Sequence, residues 1–268
     1  MARVLINVRG IEHRTMNKYF SIVFAGAKAR ATYGARTLMD LVQYPFGVYV
    51  LYCVYSAITA HGTATVGGFT LRELLTYTAA VWFLKVCVSE ARVAKNVQRA
   101  IVRGDTGALL ARPVDMGAYF ILFALGLSVW TAASILGILI LLVPVTKIIP
   151  FLALSVLAWL ATVTLQSTVG WLSVWVEDIR PLRAFVTYVV FYMLGGALLP
   201  IDLLPDPLRK IAETLPIKYV RQGPGLYVAG KIGFLDALVP LSLWIPVFIG
   251  VYIIVERAAL RRMDLHGG

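Results

Sequence analysis

The sequence predicts an all-α integral membrane protein. It calls for six transmembrane helices, with an N-terminal amphipathic interfacial helix before them and short re-entrant outer-leaflet helices before the last span. Three observations predict this. Of the 268 residues, 59% are hydrophobic and only 15% charged, against about 45–50% and about 25% in soluble domains; mean hydropathy is +0.79. The apolar residues gather into runs of the roughly 20 residues that a helix needs to cross the hydrocarbon core. The 14 carboxylates fall in loops or at the ends of those runs. This composition excludes a soluble enzyme, a disordered chain and a disulfide-stapled secreted domain. The remaining loops are too short for a soluble catalytic domain, which takes at least ~50 residues.

Three regions follow: 1–37, an N-terminus with the amphipathic helix; 38–256, the six-helix domain; and 257–268, a short basic tail. Over 14–37, apolar and basic residues recur at helical spacing. Phe20, Phe24, Ala27, Ala31, Ala35 and Leu38 share one side, with Arg14, Lys18 and Arg36 opposite, as in a helix lying on a membrane surface. Spans are predicted at 38–60, 71–94, 116–143, 151–176, 184–199 and 236–255. A Gly-containing link (61–70) separates the first two, and a basic stretch (95–115) the next two. A turn with Pro144, Lys147 and Pro150 precedes the fourth. A charged link with Glu177, Asp178, Arg180 and Arg183 precedes the fifth. Cys53 and Cys87 both sit in apolar runs and read as small hydrophobes packed between helices. The basic N-terminus lacks the long apolar core of a signal peptide.

Net charge is +11. In a soluble protein such an excess points to nucleic acid. Here the positive-inside rule accounts for it, and no nucleic-acid partner is expected. Lysines and arginines fall seventeen on one side of the predicted topology and seven on the other. That asymmetry places both termini in the cytoplasm of a multi-pass plasma (inner) membrane protein and the 200–235 segment outside. Ion-coupled carriers need ionisable groups near the midplane, and the carboxylates here avoid it. Lys85, inside the second run, is the exception. It is open to two readings: a lysine that snorkels or pairs with Glu90, or a lysine on a substrate path.

Catalytic motifs fail. There is no HExxH and no GxSxG, and His13, His61 and His266 lie in loops or tails. Gly225 followed by Gly230 and Lys231 imitates a P-loop, but Ile232 stands where a Ser or Thr must bind Mg²⁺. No catalytic residue, metal site or cofactor is expected in this chain.

Two segments carry more information. In 99–113, Gly104 can end one helical piece and Asp105 or Thr106 cap the next. That second piece would offer Leu109 and Leu110 to a partner, to the bilayer or to its own chain, until Pro113 stops it. In 200–235, Pro200, Pro205, Pro207, Pro216 and Pro224 break the backbone. Between them Leu208, Ile211, Ala212 and Leu215 share one side of a short amphipathic stretch. It reads either as helices dipping into the outer leaflet or as a surface loop.

These motifs resemble the ABC-2 type permeases, the transmembrane subunits of many ABC exporters. The likeness covers nearly the whole chain. It runs from Gly68-Phe69-Thr70-Leu71 and Glu73-Leu74-Leu75-x-Tyr77, through Ile101-x-x-Gly104-Asp105 and Leu109-Leu110-x-Arg112-Pro113. It ends in Gly196-x-x-x-Pro200-Ile-Asp-Leu-Leu-Pro205, Leu215-Pro216 and Pro224-x-x-Tyr227-x-x-Gly230. The nearest branch often encodes two permeases beside one ATPase.

The resemblance implies a permease subunit of an ATP-driven exporter, paired with a second permease, identical or related, around a pathway through the membrane lipids. Two ABC ATPase subunits would dock beneath and bind the ATP and Mg. It implies ATPase coupling through Arg99, Arg103, Gly104, Asp105, Leu109, Leu110 and Arg112, with Glu177, Asp178 and Arg180 as a second contact. It also implies a pathway or exit gate near Lys85, Pro200, Pro205, Leu208, Ile211 and Leu215. Two other classes compete: a channel or assembly scaffold that needs no ATP, and a membrane-embedded lipid-modifying enzyme. The enzyme would need clustered carboxylates or histidines, and only Glu177 and Asp178 adjoin.

Overall fold

The computed structural model describes residues 18–32, 34–59, 61–88, 90–103, 115–176 and 178–265. Among them it is all-helical, with no strand; one isolated bridge joins Val66 and Phe69 in the 61–70 link. Residues 18–32 form α1. Then follow α2 (Gly34–Ile58), α3 (Leu71–Cys87), α4 (Glu90–Val102), α5 (Met116–Leu142) and α6 (Val145–Trp171). Helix α7 (Arg180–Ala184) continues into a π-helix, Phe185–Leu194. Helices α8 (Asp206–Thr214), α9 (Ile217–Ala229) and α10 (Phe234–Leu265) complete the chain.

Four helical stretches are long and apolar enough to cross a membrane: Thr37–Ile58, Met116–Leu142, Val145–Val174 and Phe234–Met263. Their outward surface is apolar as well; Leu141, Ile149, Leu243 and Ile254 are all exposed. Water would not tolerate that surface, and lipid would.

The other two predicted spans differ from expectation. The second ends at Cys87, not at 94, because Val88 turns extended. Its 17 residues reach about 26 Å. The apolar residues after the break belong to α4, which lies against α6. The fifth ends at Leu194, short of 199, where the backbone turns through Gly195 and Gly196. Gly196 has φ +78°, a conformation that glycine adopts without strain. The link before α6 is also shorter than expected: the helix begins at Val145 and takes in Pro150. The last helix runs past 255 to Leu265.

Local chemistry explains the ends. Thr70 and Glu73 form a capping box at α3. The Thr70 N–H donates to Glu73 Oε2 at 2.7 Å, and the Glu73 N–H donates to Thr70 Oγ1 at 3.3 Å. Asp115 accepts from the Ala118 N–H and starts α5. Gly230, with φ +83°, ends α9. Pro45, Pro240 and Pro246 lie inside spans, where neighbouring helices stabilise the freed backbone groups.

Helix α6 is the hub, packed against α4, α9 and α10. The main core gathers Phe83, Phe151, Phe191, Val220 and Leu241 around it. Helix α1 crosses α5 where Gly26 meets Gly126. A Cβ on Gly126 would overlap the Val23 carbonyl, and one on Gly26 the Phe123 carbonyl. Small residues let helices approach this closely. Arg30, one turn further on, is buried: it donates to Thr131 Oγ1 at 3.2 Å and pairs with Asp40. Phe20 and Phe24 remain exposed, on the side that the sequence assigns to lipid. The carboxylates at predicted run ends are not all in water, since Asp40 and Glu256 are both buried.

Candidate functional site

Four of the predicted coupling residues, Arg99, Arg103, Asp178 and Arg180, are described, and they meet at one end of the bundle. Helix α4 is amphipathic, with Val93, Ala94, Val97 and Ala100 buried and Lys95, Arg99 and Arg103 exposed. Its buried side fits against α6 at Gly170, where a Cβ would come within 2.7 Å of Val97 Cβ. Lys95, Arg99 and Arg103 recur every four residues, so like charges stack along one face, which by itself destabilises a helix. Arg180 and Arg183 of α7 face them across a cavity of about 280 Å³. Arg183 reaches over to Gln98 Oε1 at 3.2 Å.

Asp178 is held by Arg180, 2.9 Å away. Donation from the Arg180 side chain, and then from its backbone N–H, keeps this carboxyl below the usual carboxylate range. The result is a concave, strongly basic corner braced on the hub helix. Of the predicted coupling set, Arg99, Arg103 and Arg180 line this cavity and Asp178 adjoins it. Gly104, Asp105, Leu109, Leu110, Arg112 and Glu177 lie outside the described residues.

The predicted pathway residues are more scattered. Pro200 is buried before a short 3₁₀ turn, Ile201–Leu203. Pro205 is exposed and precedes α8. Helix α8 occupies the predicted amphipathic stretch, but its predicted apolar side is only partly covered. Ala212 is buried, Leu208 and Leu215 are half-buried, and Ile211 is exposed. Ala212 packs with Leu194 and Ile201, and Leu215 lies against them.

At the end of the bundle where α3 begins, two lysines tie the chain together. Lys231 pairs with Glu73 at 2.9 Å and donates to the Gly68 carbonyl at 2.7 Å. Lys147 donates to the Tyr227 and Val228 carbonyls at 3.1 and 3.0 Å, where α9 ends.

Lys85 sits in the last turn of α3 rather than at the centre of a longer span. Its ammonium lies over Trp82 (3.7 Å to the ring centroid) and Tyr192 (4.7 Å). Such contacts favour a cation where water is scarce. The expected pairing with Glu90 falls outside the described side chains.

Sequence reasoning missed Arg221, which it counted among the exterior residues of the 200–235 segment. The side chain is 1% exposed, inside α9, with its guanidinium 5.5 Å from the Phe191 ring. The signal was there in the apolar residues around it: Ile217, Val220 and Leu226. A polar run in α6 was also passed over. The Thr162 and Thr168 hydroxyls donate to carbonyls four residues back. Gln166 reaches Thr187 on the π-helix at 3.5 Å. Among the described residues no group of three His, Cys, Asp or Glu side chains could hold a metal ion.

Residues 46–267 match the family model described as ABC-2 family transporter protein. No match among curated proteins accompanies it. The matched stretch holds α3 to α9 complete, the second half of α2, and α10 to its end, while α1 and the start of α2 precede it. The chain is a multi-pass membrane protein that belongs to the ABC-2 transporter family, whose members serve as permease components beside an ABC ATPase.

Proposed function

We propose that this chain is the transmembrane permease of an ATP-driven exporter. It forms half of a pathway with a second permease, identical or related, and two ATPase subunits dock beneath. ATP and Mg bind to those subunits, and this chain is not itself catalytic. Helices α2, α3, α5, α6, α7 with its π-helix, and α10 make the six crossings in the inner membrane, and both termini are cytoplasmic. Helix α1 lies along the inner surface, and α8 and α9 re-enter from the outer side to form the exit gate.

One observation carries the reading furthest: the basic corner of α4 and α7 is seated on α6 through Gly170 and Val97. Arg99 to Arg112 form the main ATPase contact, and Glu177, Asp178 and Arg180 the second. A push delivered to α4 by ATPase closure passes to the hub helix through the Val97–Gly170 contact. Opening of the pathway is then a shift between two packings of the bundle.

The test is purification of the tagged chain in mild detergent from its host. An ATP-binding subunit should accompany it and be lost on Leu109→Asp with Leu110→Asp. Retention of the subunit and of transport in that double variant would remove the coupling assignment. A chain that purifies alone would favour the channel or scaffold.

A further inference from the structure

We propose that the cavity between α4 and α7 is a binding site for the phosphate head of an anionic phospholipid. Five cations line its space of about 280 Å³: Lys95, Arg99 and Arg103 from α4, and Arg180 and Arg183 from α7. Asp178 pairs with Arg180, and Gln98 accepts from Arg183. Lys95, Arg99 and Arg103 have no carboxylate partner among the described residues. The three repel one another at four-residue spacing. Helix α4 cannot relieve this by turning, because its other face is seated on α6 through Val97 and Gly170. A phosphate group offsets the repulsion, since its oxygens accept from several guanidinium groups at once.

The surroundings of the cavity decide what carries the phosphate. Arg180, Ala184 and Tyr188 are all exposed and recur every four residues, so one face runs from the cavity onto the π-helix. Along that face charge gives way to aromatic surface: Phe185 is 54% exposed and Tyr188 65%. Val102, which lines the cavity, is exposed as well. A phosphate that bears hydrocarbon chains meets both the cations and the rings, whereas a free phosphate leaves the rings uncovered. The depth agrees. Gly170, on which α4 is seated, lies near the end of the apolar stretch Val145–Val174, at the level of lipid head groups. Basic pockets between membrane helices on the cytoplasmic side hold phospholipid heads by this chemistry. The inference goes beyond the permease reading and takes from it only that this end of the bundle is cytoplasmic.

The experiment is native mass spectrometry of the full chain in a neutral detergent, titrated with dioleoyl phosphatidylglycerol or dioleoyl phosphatidylcholine. The native chain should retain phosphatidylglycerol with a preference of about tenfold, the scale of one charge-assisted contact. Arg99→Gln with Arg103→Gln should abolish the preference, and Arg99→Lys with Arg103→Lys should keep most of it. Arg257→Gln with Arg261→Gln removes two exposed cations of α10 outside the cavity and should leave the preference unchanged.

No preference in the native chain, or equal loss in the two glutamine pairs, would overturn the site, and so would a preference that survives Arg99→Gln with Arg103→Gln. Displacement by sodium pyrophosphate as readily as by dihexanoyl phosphatidylglycerol would overturn the lipid in favour of a free phosphate. If Arg99→Gln with Arg103→Gln releases the ATPase and keeps the lipid preference, the cations serve an acidic surface of that subunit instead. A preference intact in a chain that purifies without any ATPase would sink the permease reading and leave the site standing.

Discussion

At the scale of single residues, the close crossing of α1 and α5 is the most demanding contact. Gly126 faces backbone, which cannot move aside as a side chain can. Gly126→Val should therefore cost about 1–3 kcal/mol, the usual range for overpacking, and lower the unfolding midpoint in detergent. Gly137→Val, on the same helix with nothing within 4 Å, should leave it unchanged. Equal midpoints for the two variants would mean that α1 is not seated there.

Neither Gly26 nor Gly126 could be singled out in advance, because their complementarity joins positions a hundred residues apart. Arg30 shows the same gap. Its basic character was plain, but its burial depends on Asp40 across a helix boundary and on Thr131 of α5. Phe20 and Phe24 were legible because a 3.6-residue period is a local property.

Single elements were read best where their ends carry their own chemistry. Thr70 with Glu73 is a capping pair visible in four residues, and α3 starts there. Thr70→Ala should destabilise the chain by about 1 kcal/mol, and Thr70→Ser should largely restore it. A melt unchanged by Thr70→Ala would show that the Lys231 tie to Glu73 and Gly68 holds this end unaided. Where an element stops inside an apolar run, composition gave no warning. The run continues past Val88 into Val93, Ala94 and Val97, so one long span was the natural expectation. Only the change of packing partner, from the α2–α5 side to α6, divides it into α3 and α4. The short helix α8 lies on the amphipathic stretch that its prolines and apolar spacing marked, and Ile211 on its apolar side is exposed. Its Ala212 is held instead by Leu194 and Ile201.

For the whole molecule, charge asymmetry was the strongest guide, and it survives the burial of Arg30 and Arg221. The orientation it implies is open to a direct check. In a background of Cys53→Ala and Cys87→Ala, Asp206→Cys should react with an impermeant thiol reagent from outside intact cells. Arg103→Cys should react only after permeabilisation. The reverse pattern would invert the molecule. Family membership was legible because order and spacing of many weak motifs survive along the chain. The seat of Lys85 beneath Tyr192 was not, because it depends on how the π-helix returns beside α3, and no local pattern encodes that return.

The π-helix has a mechanical meaning beyond its place in the bundle. Its i→i+5 bonds wind more residues into each turn than an α-helix does, and runs of this length are rare, most π-turns being single. Phe185–Leu194 therefore stores slack. Rewinding those residues with i→i+4 bonds would lengthen the segment and swing Tyr188 and Tyr192 about its axis, lifting the ring at 4.7 Å away from Lys85. The same few bonds would act as a spring and as a latch, releasing stretch toward Gly195 and Gly196 while uncovering the Lys85 ammonium.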